Sequence, residues 1–335
     1  MSLLHVDNIT RRYPGHLAVD QVSFSVQPGQ LFALLGPSGC GKTTTLRLIA
    51  GFEQPDSGHI RLHGEPITHL PPYQRRVNTV FQNYALFPHL SARDNIAFGL
   101  RHERVRPLGS APARDAAARI DAVLELVQMS SKAASRPAQL SGGEKQRIAL
   151  ARSLILEPDV LLLDEPLSAL DPNLRKQVRG ELKALQRRTG VTFLMVTHDQ
   201  EEALSMADTI GVMNAGRLEQ TGPPQDLYHR PRTRFVAGFL GAVNWIGDAG
   251  IRPEAIRVTT DSTQGRPATI RNVTFLGNCI HLEAELALSP GPTAGPHPAN
   301  GPRVIAEIQN PQSDFHPGEL VHLHWRPEDE IRPEA

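Results

Sequence analysis

Gly36-Pro37-Ser38-Gly39-Cys40-Gly41-Lys42-Thr43 reads G-x-x-x-x-G-K-T. Before it, Leu31-Phe32-Ala33-Leu34-Leu35 reads as a buried strand; after it, Thr44-Thr45-Leu46-Arg47-Leu48-Ile49-Ala50 reads as a helix. A strand, a glycine-rich loop and a helix in this order make a phosphate cradle. Glycines let the backbone turn its N–H groups onto an anion. The helix N-terminus adds a partial positive charge at the same point. Residues Gly36 to Thr44 are therefore expected to surround the phosphates of a nucleoside triphosphate. Lys42 reaches the β- and γ-phosphates, and the Thr43 hydroxyl ligates Mg²⁺.

Outward from this loop, the totals set bounds. A chain of 335 residues is long enough for two domains with sizeable cores. Lys+Arg and Asp+Glu both number 35, and this zero formal charge speaks against a nucleic-acid partner. The two cysteines, Cys40 and Cys279, are far apart and form no disulfide framework, which fits a reducing compartment. No signal peptide is expected at the N-terminus. No window has the roughly 18 apolar residues of a membrane span, so a membrane role would act through a partner.

Residues 3–27 alternate apolar and polar and predict short antiparallel strands, with Tyr13 in a turn at 11–15. Tyr13 is either a surface turn aromatic or a platform on which a purine stacks. A hairpin is expected near 57–65, and a strand at 77–81 ends at Gln82. Residues 83–157 are mainly helical, with helices at 113–127 and 146–156 and an irregular segment at 104–112. Val160-Leu161-Leu162-Leu163 reads as a strand buried on both faces, ending in Asp164-Glu165. Open α/β sheets place ligands at such strand ends. There Asp164 suits Mg²⁺ and Glu165 suits a general base acting on water. A helix at 172–188 leads to a second buried strand at 191–197. That strand ends at His198, which is either a satisfied core histidine or a γ-phosphate partner.

From about 241 the pattern becomes short alternating strands separated by turns, which predicts a small β-barrel. The Pro/Gly-rich run at 289–302 predicts a mobile loop. The histidines of this region, His281, His322 and His324, raise a metal reading, and His322 and His324 share a strand face, but a solvated face is the commoner outcome, so no metal is assigned to them. The fold class is thus α/β: a phosphate-loop domain with a helical subdomain, followed by an all-β, OB-like barrel. The boundary is set at 1–240 and 241–335.

Leu140-Ser141-Gly142-Gly143-Glu144-Lys145-Gln146-Arg147 carries the family resemblance. With the loop before it and Asp164-Glu165 after it, this segment resembles the signature of ATP-binding cassette proteins. The order of Gln82, the helical insert, the signature, Ser168-Ala169-Leu170-Asp171 and His198 matches as well. The resemblance implies ATP as ligand, with Mg²⁺. It implies that Tyr13 stacks on adenine and that Gln82 senses the γ-phosphate and metal beside a permease contact. Ser141, Gly142 and Gly143 would bind ATP across a head-to-tail dimer of two copies, with Asp171 at the dimer contact. Glu165 would be the catalytic base and His198 the switch histidine.

The barrel after a single cassette is similar to that of importer ATPases serving polyamines, ferric iron, sulfate, molybdate and sugars. Asn83-Tyr84-Ala85-Leu86-Phe87-Pro88-His89-Leu90 and Ile251-Arg252-Pro253-Glu254-Ala255-Ile256-Arg257-Val258 resemble segments of that group. This implies a peripheral subunit on the cytoplasmic face of the inner membrane. Its partners would be a permease and, indirectly, a solute-binding protein, with polyamine or ferric iron the leading cargo. The alternative is a cassette ATPase of translation or DNA repair, which usually carries two cassettes or a long coiled coil. A kinase or GTPase would lack the 140–147 segment. An anion-sensing role for the barrel is a further possibility.

Overall fold

The computed structural model describes residues 2–101, 116–262, 264–287, 301–309 and 314–333. The expectations for 104–112 and for nearly all of 289–302 fall outside these residues. The chain divides into two compact units, Met1–Pro224 and Gln225–Ala335.

In the first unit, β1 (Leu4–Tyr13) and β2 (His16–Val26) pair antiparallel, and β4 (Ser57–Leu62) and β5 (Glu65–Pro66) extend that sheet from β1. At 10 and 11 residues, β1 and β2 are not the short strands that the sequence predicts. Tyr13 is the last residue of β1, paired with His16, rather than a turn residue. The turn signal at 14–15 is real, but pairing runs right up to it. A second sheet contains β3 (Leu31–Leu35), β6 (Val77–Val80), β7 (Val160–Asp164), β8 (Thr192–Thr197), β9 (Thr209–Asn214) and β10 (Arg217–Gly222). Its order is β10-β9-β3-β8-β7-β6, parallel throughout except for the β9–β10 hairpin.

Helix α1 (Lys42–Ala50) lies between the two sheets. Its Leu46, Leu48 and Ile49 share one core with Leu4, Val6 and Val26 on one side and with Phe32, Leu34, Leu162, Leu194 and Val196 on the other. Each such side chain contributes about 1.5–3 kcal/mol by leaving water. Every residue of β3 is fully buried, which is why it reads as an unbroken apolar run.

The helical insert comprises α2 (Ala92–Arg101), α3 (Ala116–Leu126) and α4 (Gly142–Leu154), packed against one another. Helix α4 begins at Gly142, not at 146, because Ser141 caps it. Two side chains pin the segment that follows Gln82. Asn95 accepts from Phe87 N and donates to the carbonyls of Phe87, Leu90 and Ser91. Arg152 donates to the carbonyls of Tyr84 and Ala85, both in left-handed backbone. Helices α5 (Pro172–Thr189) and α6 (Gln200–Met206) flank β8 in sequence, with Asp171 and Asp199 as their N-caps.

The second unit opens with most of α7 (Pro224–His229) and with α8 (Arg234–Phe239). The division thus falls at 224, not at 240. The buried Arg252 accounts for the difference: it donates to the carbonyls of Tyr228, Ala237, Gly241 and Ala242 and ties both helices to the β domain. A three-stranded sheet pairs β11 (Asn244–Ile246) and β12 (Ala249–Ile251) with β18 (Glu330–Ile331). A five-stranded antiparallel sheet holds β13 (Arg257–Thr259), β14 (Arg266–Phe275), β15 (Cys279–Leu286), β16 (Arg303–Gln309) and β17 (Leu320–His324) in the order β13-β17-β14-β15-β16. Ile270, Leu282, Ala284, Ala306 and Leu323 are fully buried in its core. This is the all-β, OB-like half-barrel that the alternating segments predict.

Candidate active site

Parallel strands deliver their C-terminal ends to one edge of the sheet. The neighbours β3, β8, β7 and β6 end at Leu35, Thr197, Asp164 and Val80. The glycine loop, His198, Glu165 and Gln82 follow directly, so four distant stretches of sequence converge on one edge.

The loop is shaped by close packing. A Cβ on Gly36 would lie 2.3 Å from the Met213 carbonyl, and one on Gly41 would lie 2.2 Å from the Ala18 carbonyl. Gly41 also has a φ of 100°, so glycine is required there on both counts. Lys42 is buried, and its ammonium donates to the carbonyls of Gly36 (2.8 Å) and Pro37 (2.9 Å). Ser38 and Gly39 are exposed at the loop crest. The Cys40 thiol points into the core beneath the loop, and burial pushes it up from its ordinary pKa. Cys40 therefore offers a ligand only its backbone.

The Thr43 hydroxyl donates to Asp164 Oδ1 at 3.2 Å. Burial raises the Asp164 carboxyl above the usual carboxylate range; the Thr43 hydrogen bond opposes this and the Glu165 charge adds to it. A hydroxyl and a carboxylate beside a phosphate loop are hard oxygen donors, so this pair fits Mg²⁺.

Glu165 gathers the remaining groups. His198 Nδ1 lies 3.2 Å from Glu165 Oε1, and the Gln82 amide donates to Glu165 Oε2 at 3.4 Å and to Ser168 Oγ at 3.1 Å. Ser168 Oγ in turn donates to the Glu165 carbonyl at 2.9 Å. Glu165 is held at φ 45°, a left-handed conformation uncommon for a residue with a side chain. Gln82 thus stands with Glu165; among the described residues, no hydrogen bond joins it to Thr43 or Asp164. Sequence reasoning named Ser168 only as part of a spacing. Its position three residues past Glu165 was the available signal.

The remaining expected residues lie elsewhere. The Tyr13 hydroxyl bonds Glu53, and the Arg11 guanidinium sits 5.1 Å from the centre of the Tyr13 ring. Ser141 closes a capping box: its hydroxyl accepts from Glu144 N while Glu144 Oε2 accepts from Ser141 N. A Cβ on Gly142 would press on Leu170 at 2.9 Å. Asp171 caps α5 by accepting from Leu174 N. Among the described residues, no hydrogen bond joins Ser141, Gly142, Gly143 or Asp171 to the glycine loop.

A profile of the ABC transporter family matches residues 19–168, and one of the TOBE domain matches residues 249–332. The uncharacterized ABC transporter ATP-binding protein YdcT of Escherichia coli (strain K12) is 48% identical over 292 residues, 84% of this chain and 85% of that protein. The chain belongs to the ABC transporter family. This ABC transporter subunit is an ATP-hydrolysing, importer-type ATPase with a C-terminal TOBE domain. It is also similar to the spermidine/putrescine import ATP-binding protein PotA of Pseudomonas fluorescens (strain Pf0-1). That protein is 54% identical over 247 residues, 72% of this chain and 67% of the relative. Among solved structures, the dimeric post-hydrolysis state of the cassette MJ0796, bound to ADP and Pi, superposes with a TM-score of 0.57 at 27% identity. It covers 66% of this chain and 98% of that one.

Proposed function

We propose that this chain energises polyamine uptake as an ATP-driven homodimer beneath a membrane permease. The observation that carries the reading is the convergence of Gln82, Glu165, Ser168 and His198 beside the Lys42–Thr43 loop. The similarity to spermidine/putrescine import proteins supports the cargo.

In the proposed mechanism, Glu165 accepts a hydrogen bond from a water in line with the γ-phosphorus, and the His198 ring orients that carboxylate. The water oxygen bonds to phosphorus and the bond to the ADP oxygen breaks, with the electron pair leaving on ADP. The water proton passes to Glu165 and then to solvent. Lys42 exchanges its two loop carbonyls for phosphate oxygens and takes up the developing charge. Mg²⁺, held by Thr43 and Asp164, supplies further charge neutralisation when bound. The signature of a second copy, Ser141 to Gly143, closes over the γ-phosphate, so two ATP molecules lie between two chains. The dimer formed by the cassette MJ0796 supports this arrangement.

Phe52 and Phe81 are exposed, with ring centroids 5.7 Å apart, and Tyr73 is 68% exposed. Phe81 adjoins Gln82 in sequence and Phe52 packs on Phe81; this exposed pair suits a permease helix, while the pinned segment 83–90 carries the γ-phosphate signal to it. No helix among the described residues is long and apolar enough to cross a membrane. Docking on a permease would place the subunit at the inner face of the cell membrane, and a separate solute-binding protein would deliver cargo.

The test is uptake of labelled putrescine and spermidine in the host strain. Deletion of the gene abolishes uptake, and the wild-type chain restores it. Glu165→Gln restores no uptake, binds ATP normally and turns over about 10²-fold more slowly. Unchanged polyamine uptake on deletion, with loss of ferric, oxyanion or sugar uptake instead, overturns the cargo. Normal turnover of Glu165→Gln overturns the base.

A further inference from the structure

Cys279 and His281 lie two residues apart on β15 and so share one face of the sheet. In the antiparallel register they stand opposite Gln309 and Glu307 of β16. The ladder therefore brings a thiol, an imidazole and a carboxylate together. One ligand atom from each of Cys279, His281 and Glu307 lies within 4.8 Å of the others. His281 Nε2 is 3.3 Å from Glu307 Oε2, and the Gln309 amide donates to Glu307 Oε1 at 3.3 Å. The nucleotide chemistry uses none of these groups.

We propose that Cys279, His281 and Glu307 form a zinc site on the β domain, completed by one water. The donor set decides the metal: a thiolate excludes Mg²⁺ and Ca²⁺, which take oxygen, and mixed S/N/O ligands suit Zn²⁺. Thiolate and carboxylate together neutralise a dication. Bonds of about 2.0–2.3 Å in a tetrahedral site put ligand atoms about 3.3–3.8 Å apart. Side-chain rotation of about an ångström closes the present cluster to that size. Gln309 holds the carboxylate from outside, as the partners of metal ligands commonly do. The thiol is free and lies below the surface, while the His281 and Glu307 side chains are 39% and 27% exposed and give the ion a way in. Since β16 is the edge strand of its sheet, a bound ion ties that edge to β15.

The experiment uses the full chain, stripped of metal, in a Cys40→Ser background that leaves Cys279 as the one thiol. Co²⁺ serves as the probe because thiolate ligation gives it a near-ultraviolet charge-transfer band and tetrahedral geometry gives intense visible bands. The bands saturate at one Co²⁺ per chain, bleach on adding Zn²⁺ and vanish in Cys279→Ser. Glu307→Gln, at a half-buried position that leaves the fold intact, weakens Co²⁺ binding by about tenfold or more. Absence of the charge-transfer band, or its persistence in Cys279→Ser, overturns the site. So does Glu307→Gln binding Co²⁺ as tightly as its parent.

Discussion

Asp164 carries a cost that its place in the site explains. Burial, the leading cause, holds its carboxyl above the ordinary carboxylate range. A carboxyl whose folded pKa exceeds its unfolded one stabilises the fold most when protonated. Stability is therefore greatest below the unfolded value near 3.9, falls as pH rises to the raised value, and stays lower at neutrality. Asp164→Asn removes this penalty, so the nucleotide-free chain at pH 7 should melt higher by roughly 2 °C. Mg²⁺-dependent turnover should be lost in the same variant. Thermal melts of the two chains without nucleotide check this, and a lower midpoint for Asp164→Asn would sink it. Much at this scale was legible: Lys42, Thr43, Asp164, Glu165, Gln82 and His198 occupy one sheet edge, as their strand-end positions implied. The environment of Tyr13 was not, because its hydroxyl partner Glu53 lies 40 residues away in the segment between α1 and β4, and no local pattern joins the two.

Helix α1 owes its stability to a residue outside it. Arg75 is 5% exposed and donates to the carbonyls of Leu48 and Ile49 in the last turn of α1, and to those of Thr68 and Leu70. It sits so close to Gly51 that a Cβ there would meet its Nε at 2.6 Å. Burial lowers its pKa to about 10, which still leaves it charged at neutral pH. Arg75→Met orphans buried carbonyls and should cost about 3 kcal/mol, read as a lower urea midpoint. ATP affinity should fall with it, since α1 carries Lys42 and Thr43. A shift below about 1 kcal/mol would show that water replaces the guanidinium. The parallel strands were readable because strands buried on both faces are unbroken apolar runs. The pieces β11, β12 and β18, of two or three residues each, are too short to show alternation. The domain boundary was misplaced because a hydrogen-bonding arginine, not a change in composition, assigns α7 and α8 to the second unit.

For the whole molecule, the proposed sharing of each ATP between two chains has a kinetic consequence. If each ATP needs a loop from one chain and a signature from the other, turnover per chain depends on dimer concentration. ATPase rate per chain should fall steeply on dilution below the dimer dissociation constant, and Ser141→Ala should reduce it at every concentration. A rate per chain that stays flat down to dilute protein would refute the shared site. Ser141→Ala also removes a helix cap, which costs about 1 kcal/mol. Stability measured in parallel separates the two effects. The two-domain plan was legible because a helical period gives way to a period of two near residue 241.

The left-handed backbone of Glu165 sets stability and activity against each other at a single position. Only glycine adopts that conformation without penalty, and a second acid beside Asp164 adds repulsion. Glu165→Gly should therefore produce a catalytically dead subunit that is tougher than its parent, by up to about 1 kcal/mol. Unfolding of the two chains in urea would show it, and a glycine variant weaker than wild type would refute it. A chain optimised for robustness alone would carry glycine here, so a glutamate at this position marks a fold held slightly away from its own optimum, and the proposed reaction supplies the reason.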